Sequence, residues 1–463
     1  AGLLGLAAVA AVRLFDPAAF VGGSAQAHRR AVASAAGAGG AAGSAPGSAP
    51  AVDVAVLGAS GFTGRLACEY LAERAPQGVS WAMAGRSLPK LEDVRAGLPA
   101  AGRSAPLVQV DSTDEGAVRE LARRAKVIAN FAGTPYFDKA LPVVAACAET
   151  GCHYVDISAE TPFMRTSADR FDSKARETGA LIVHACGYDS VPFDLGALLA
   201  ATEMRRRHGV GCRRIRAYVG PSSGSFSGGT IYTGLSLLEA GDKLPGASAA
   251  QDPYGLDPSG GKRGPDRGDG GEQEGLTPHF DELEGTWTAP WVMAPVNARV
   301  VRRSNALQGY AYGERASYGE AVEAASPNLA YGMAASLVLG GALLAFPLSR
   351  SALLRWVLPA PGQGPSRPER DEGFFRIRTV ALGEGAGGLA AAPRVVARVE
   401  SGDGGDPGYK CTARMAVEAA LCLALERGRC RREGGVVTPA AGLGQALVER
   451  LRASGMRLYV DPA

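Results

Sequence analysis

Between residues 52 and 187, short apolar runs alternate with amphipathic stretches. The runs "VDVAVL", "SWAMAG", "APLVQVD", "KVIANFAG", "HYVDIS" and "ALIVHACG" are brief and almost continuously apolar, as expected of strands buried on both faces. Helical spacing follows the first of them at Leu66, Tyr70 and Leu71. It returns in "AVRELARRA", in "ALPVVAACAETG", which Gly151 closes, and in "ADRFDSKARETG". This alternation predicts an α/β fold, a Rossmann-type doubly wound parallel sheet over residues 51–205. Beyond residue 205 the pattern changes. "RRIRAYVG", "ARVVRRSNAL", "FFRIRTVALG" and "RVVARVES" read as strands and "GGTIYTGLSLLEAG" as a helix, so residues 206–410 are expected to form a second, mixed α+β domain for substrate or dimerisation. The polar Gly/Pro/Asp stretch at 245–276 reads as a flexible insertion. "CTARMAVEAALCLALERG" and "GLGQALVERLRASG" are helices in a C-terminal segment, 411–463, expected to return to the first domain.

Composition changes this picture mainly at the N-terminus. Residues 1–50 are rich in Ala, Gly and Ser, carry Arg13, Arg29 and Arg30, and hold one acid, Asp16. Such a segment is too poor in bulky apolar residues to build a core. It has the character of an organelle transit peptide, for chloroplast or mitochondrion, although "AGLLGLAAVAAVRLF" also suits the apolar part of a signal sequence. The remaining length accommodates two domains with sizeable cores. A formal net charge of +3 and the lack of a long basic tract argue against nucleic acid as a partner. Eight cysteines occur without a CxxC pair, several in apolar runs, which fits reduced thiols acting as small hydrophobes.

The chemistry concentrates in "VAVLGASGFTGRLACEYL". A strand leading into G-x-x-G-x-x-G and then a helix is suited to a dinucleotide pyrophosphate. Gly58 permits the tight turn, Gly61 lets the backbone approach the phosphates, and Gly64 allows close packing of helix on strand. The helix N-terminus supplies N–H donors, so Ser60, Phe62 and Thr63 belong to the same expected cofactor contact. Ser60 stands where the G-x-G-x-x-G fingerprint has glycine. The second strand ends in "AMAGRS", with no acid for a ribose hydroxyl; Arg86 and Ser87 instead suit a 2′-phosphate, which selects NADP(H). Asn130 and Gly133, in "NFAGTPY" at the end of the fourth strand, are expected beside the same cofactor.

Residues 329–348, "LAYGMAASLVLGGALLAFPL", contain no charge, and Arg350, Arg355 and Trp356 follow. The run is long enough to span a bilayer, and a core or dimer-interface helix has the same composition. A peripheral insertion fits better than a span, because a span would separate the C-terminal helices from the domain they rejoin. Metal binding finds no support: Cys152–His153 and His184–Cys186 sit in buried strand runs without compact ligand spacing. A serine hydrolase finds none either, for lack of a G-x-S-x-G elbow.

"GASGFTGRLACEYL", "AGRS", "HYVDISAE", "HACGYDSVPFDLGA", "PAPGQGPS", "GDPGYKCTARMAVEAALCLALE" and "GGVVTPAAGLGQALVERL" together resemble the saccharopine dehydrogenase-like oxidoreductases, over residues 52 to about 460. That family includes bacterial trans-acting enoyl reductases and an animal saccharopine dehydrogenase-like protein. The resemblance implies a nucleotide domain joined to a mixed domain, and enoyl reduction in polyketide-type lipid synthesis or, for animal members, association with lipid droplets. The basic residues that a dicarboxylic amino-acid substrate would need are not evident, so lysine metabolism is not carried over. Asp156, Glu160, Tyr188 and Asp189 follow predicted strands and could donate a proton while NADPH delivers hydride. Tyr188 and Asp189 are the chosen catalytic pair; capping of a helix near Pro192 by Asp189 and Ser190 is the plain alternative. The expected protein is therefore an NADPH-dependent reductase of an enoyl or carbonyl group on a lipid-like substrate near a membrane or lipid droplet, with a homodimer possible. A lipid-surface scaffold that keeps a nucleotide fold is the rival, and a soluble amino-acid imine reductase is a weaker third.

Overall fold

The computed structural model describes residues 52–133, 135–224, 244–258, 276–347, 349–350, 364–385 and 389–462. The expected targeting segment, the helix read in "GGTIYTGLSLLEAG", and Arg355 with Trp356 lie outside the described residues.

The first sheet holds seven strands: β1 (Val52–Leu57), β2 (Trp81–Gly85), β3 (Leu107–Gln109), β4 (Ala125–Asn130), β5 (His153–Asp156), β6 (Leu181–Val183) and, from far along the chain, β13 (Gly435–Val437). All its pairings are parallel, in the order β13-β6-β5-β4-β1-β2-β3. Strand order therefore reverses between β1 and β4, the place where such sheets open a crevice for a dinucleotide. Val54 and Val56 face one core while Ala55 and Leu57 face another, which explains the unbroken apolar run of β1. Helices Glu115–Arg124, Leu141–Thr150 and Thr161–Thr178 cover the second face; helices Phe62–Arg74 and Leu88–Gly97 help cover the first.

The other strands form a second sheet, β14-β12-β11-β7-β10-β9-β8: β7 (Cys212–Val219), β8 (His279–Asp281), β9 (Thr286–Ala289), β10 (Ser317–Ala324), β11 (Arg376–Gly383), β12 (Arg394–Glu400) and β14 (Arg457–Val460). Only β7 and β10 run parallel there. Helices Val191–His208 and Thr412–Leu425 are buried between the two sheets, and one continuous core joins Val56 and Val127 to Ile215, Phe375 and Val399. Helix Thr412–Leu425 packs on helix Phe62–Arg74, and Tyr70 of the latter donates to Glu418 at 2.6 Å.

Two expectations need correction. "ARVVRRSNAL" is not a strand: it belongs to helix Ala294–Leu307. Nearly the whole helix is buried; Val300 faces one core and Val301 the other. Burial on all sides removes the amphipathic period, and adjacent valines and arginines then imitate a strand. Residues 245–258, at the front of the supposed flexible insertion, are stapled in place. Arg299 donates to the carbonyls of Ala249, Ala250 and Asp252, Arg302 to Pro253, and Arg165 to Asp257. Each of these arginines satisfies backbone that no sheet or helix would pair.

The charge-free run forms helix Pro327–Ala345, which Ser326 caps at its N-terminus. It lies against β9 and β10 with Ala330, Ala334, Leu337 and Leu344 inward. Leu329, Tyr331, Val338 and Leu339 point outward, as does Phe346 just beyond it.

Candidate functional site

β1 ends in the turn that the glycine spacing requires. Gly58 has φ +85°, and a Cβ there would lie 2.5 Å from the Ala132 nitrogen. A Cβ on Gly64 would lie 2.2 Å from the Gly58 carbonyl oxygen, so helix Phe62–Arg74 touches the turn directly. Gly61 is the N-cap and offers no side chain to the first turn. The N–H groups of Phe62, Thr63 and Gly64 have no partner among the described residues. Phe131 N–H binds the Leu57 carbonyl at 2.8 Å, which holds the loop after β4 against the loop after β1. A bare turn, unspent N–H donors and a helix dipole at the point of strand reversal suit a pyrophosphate.

Arg86 leaves the end of β2 with an exposed guanidinium that forms no ion pair among the described residues. Gln109 Nε2 fixes its backbone by donating to the Arg86 carbonyl at 3.1 Å. Asp111 lies nearby: the Thr113 N–H and hydroxyl, then the charges of Arg86 and Lys139, hold its carboxyl below the usual range. Arg86 and Lys139 thus face the same carboxylate, and Lys139 was not singled out by the sequence. Ser87 is the N-cap of helix Leu88–Gly97, and its hydroxyl makes no cap bond. The turn, Arg86 and Ser87 fit a nucleotide with a 2′-phosphate; they would hold that group, which would supply hydride when bound.

The remaining nucleotide-side residues are used structurally. Asn130 is buried; its amide donates to Tyr154 and its Oδ1 accepts from Ala132 N–H at 2.9 Å, so it shapes the loop. Gly133 has φ +116° and lies against the Lys139 Cβ. The Phe62 ring packs edge-on against Tyr409, with ring centroids 5.1 Å apart, and beside Gly364 and Arg370, leaving its backbone to face the turn. Ser60 accepts from Arg65 Nε through its carbonyl.

The four acid or phenol candidates separate sharply. Asp156 accepts from the Ser158 and Ala185 N–H groups and pairs with His184 at 2.7 Å; His184 in turn meets Ser167 at 2.8 Å. Ser167, His184 and Asp156 have the contacts of a hydrolytic triad, yet all three are buried. They tie helix Thr161–Thr178 to β5 and β6 and hold Ala185 at φ +60°. Glu160 is also buried; it accepts from the Tyr136 and Phe137 N–H groups and anchors the loop after β4. Burial pushes its carboxyl up to about 7 against the pull of those two donors. His153 accepts from Leu181 N–H through Nδ1, and burial lowers it to about 4. Among the described residues no group of three or more potential metal ligands gathers.

Asp189 and Tyr188 differ. Asp189 is half-buried, and its carboxylate has no hydrogen-bond partner among the described residues. Loss of water alone pushes it up to about 6. It does not cap the following helix: Ser190 is the N-cap, and its hydroxyl donates instead to Asn297, which binds Glu320. The Tyr188 ring packs 4.8 Å from Phe375 and 6.5 Å from Phe193, and its N–H donates to Thr412. Burial, then the Asp189 charge, raises its phenol well above the ordinary range. Both residues sit on the loop after β6, at the carboxyl edge of the first sheet and against the second.

The fold and turn define a nucleotide-dependent oxidoreductase. Residues 54–183 match the saccharopine dehydrogenase NADP binding domain. A Mycobacterium tuberculosis protein, provisionally named a trans-acting enoyl reductase, is 39% identical over 425 residues, covering 88% of this chain and 96% of its own. A trans-acting enoyl reductase of Mycobacterium ulcerans is 36% identical over 424 residues, covering 87% of this chain and 96% of its own. Among solved structures, apo saccharopine dehydrogenase (L-Glu forming) of Saccharomyces cerevisiae aligns at TM-score 0.48 and 13% identity, covering 89% of this chain and all of that one. The chain belongs to the saccharopine dehydrogenase-like oxidoreductase family and is an NADP(H)-dependent oxidoreductase.

Proposed function

We propose that this oxidoreductase reduces the activated double bond of an apolar acyl substrate, with hydride from NADPH and a proton from Asp189. The observation that carries this reading is Asp189 itself. It is desolvated, has no hydrogen-bond partner among the described residues, and is raised to about 6, whereas the other candidate carboxylates, Asp156 and Glu160, are spent on backbone and histidine. A carboxyl in that state is a proton donor near neutral pH. Gly58, Ser60, Gly61, Phe62, Thr63 and Gly64 hold the pyrophosphate through backbone; Arg86 and Ser87 hold the 2′-phosphate; Asn130 and Gly133 keep the facing loop in place. Tyr188 orients the acceptor beside Phe375. The names of the relatives support enoyl rather than imine chemistry.

We place the substrate at a lipid surface. The outward apolar face of helix Pro327–Ala345 supports this, with Leu339 and Phe346 each 61% exposed. The test is NADPH consumption with a panel of 2-enoyl thioesters of increasing chain length, run alongside NADPH binding. Turnover that rises with chain length supports the reading. Tight NADPH binding with no turnover on any member favours the scaffold instead.

A further inference from the structure

The end of "PAPGQGPS" and the start of "GDPGYKCTARMAVEAALCLALE" meet at the nucleotide turn, although both lie far along the chain from it. Ser366 and Glu369 close a capping box on the short helix Arg367–Glu372, which precedes β11. This helix is pinned to the one-turn π-helix Pro407–Cys411. Lys410 Nζ binds Asp371 at 2.7 Å, and the Asp406 N–H donates to the Arg370 carbonyl at 2.7 Å. The fit is close: a Cβ on Gly405 would lie 2.3 Å from that carbonyl oxygen.

The clamp fixes the backbone of Arg370, and its side chain reaches the first domain. The guanidinium carbon lies over the Phe62 ring, 5.5 Å from its centroid. Phe62 opens the helix whose first N–H groups are unspent, and Gly364 and Tyr409 hold the rest of its ring. Arg370 spends Nη1 on the Pro365 carbonyl at 2.7 Å; its other N–H groups have no partner among the described residues. Asp371 and Asp406 feel its charge but are engaged elsewhere, Asp371 by Lys410 Nζ and Asp406 by the Tyr409 and Lys410 N–H groups. We propose that Arg370 is a further cofactor-binding residue, whose guanidinium binds the pyrophosphate of NADP(H) together with the N–H groups of the turn.

The chemistry calls for such a group. The partial charge at a helix N-terminus neutralises a pyrophosphate only in part. A guanidinium can lie on an aromatic face and still donate from its edge to phosphate oxygens. Placed on the connection into β11, it would make the cofactor a tie between the first sheet's turn and the second sheet's chain. The inference rests on NADP(H) binding at the turn, and it is independent of the acyl substrate and of Asp189.

The experiment is calorimetric titration of the full chain with NADPH, with NADH, and with 2′-AMP, which has the 2′-phosphate and no pyrophosphate. The variants are Arg370→Met, which keeps an apolar stem over Phe62, and Arg370→Lys, which keeps the charge. Arg370→Met should weaken NADPH and NADH by the same factor, about 10- to 100-fold. It should leave 2′-AMP unchanged and flatten the salt dependence of NADPH affinity. Arg370→Lys should recover part of the loss. Unchanged NADPH affinity in Arg370→Met overturns the proposal. An equal loss for 2′-AMP also overturns it, because the residue then only supports the turn. A loss confined to NADPH overturns it too, because the guanidinium then serves the 2′-phosphate.

Discussion

Asp189 keeps its carboxyl partly out of water and gains no donor in exchange, which makes it a liability to folding and an asset to chemistry. Its folded value of about 6 lies above the unfolded 3.8. As pH rises between those values the unfolded chain gives up its proton first, so stability is lost across that window and the full penalty applies above about 6. Asp189→Asn should therefore leave the melting temperature unchanged below pH 4 and raise it at pH 8, by up to about 2 kcal/mol of stability. The same variant should lower kcat by about 10²–10⁴-fold with NADPH affinity unchanged. In the unaltered enzyme kcat/KM should fall as pH rises past about 6, where the donor is lost, and calorimetry with pH-rate profiles checks both signs. Arg86 belongs to the same scale. Arg86→Ala should weaken NADPH about 10- to 100-fold in a fluorescence titration and leave NADH almost unaffected; equal losses for the two cofactors would remove Arg86 from the 2′-phosphate.

At the level of the element, the glycine turn and its helix behave as one part. Gly64→Ala drives a methyl group into the Gly58 carbonyl. It should cost about 1–3 kcal/mol and weaken NADPH binding together with stability, seen as a lower melting temperature and a weaker titration. The apolar helix makes the opposite prediction. Leu339→Asp changes an exposed position, so the melting temperature should hold while binding to phospholipid vesicles drops about tenfold or more. These elements also show how far the sequence could be read. Six strands of the parallel sheet were legible because strands buried on both faces leave continuous apolar runs. Helix Ala294–Leu307 was not, since its arginines are buried against carbonyls distant in the chain. β13 has three residues and β14 four, too few to carry a period. Gly58, Gly61, Gly64 and Arg86 could be picked out because the spacing that marks them is local. The anchoring role of Glu160 was invisible: the N–H groups it holds lie 23 and 24 residues away.

At the level of the whole molecule, the two sheets share one core, and residues 435–460 supply a strand to each. β13 completes the edge of the parallel sheet beside β6, and β14 completes the mixed sheet beside β12. Between them, helix Gly444–Ala453 packs on helix Thr412–Leu425, and Arg450 reaches Glu418 at 2.8 Å. Asp194, on the helix between the sheets, accepts from Ala440 N–H at 2.8 Å, and burial pushes its carboxyl up to about 7. A chain ended after residue 434 would expose a strand edge in each sheet and leave Asp194 without that donor. It should fail to give a cooperative thermal transition and should collect in the insoluble fraction, whereas the full chain gives one transition for both sheets.

That arrangement sets an order of events during synthesis. A ribosome releases residues 435–460 after every other strand of the two sheets, so neither layer can be finished until that stretch has emerged. A message that stops before residue 435 yields a polypeptide with two raw margins, a product for proteases.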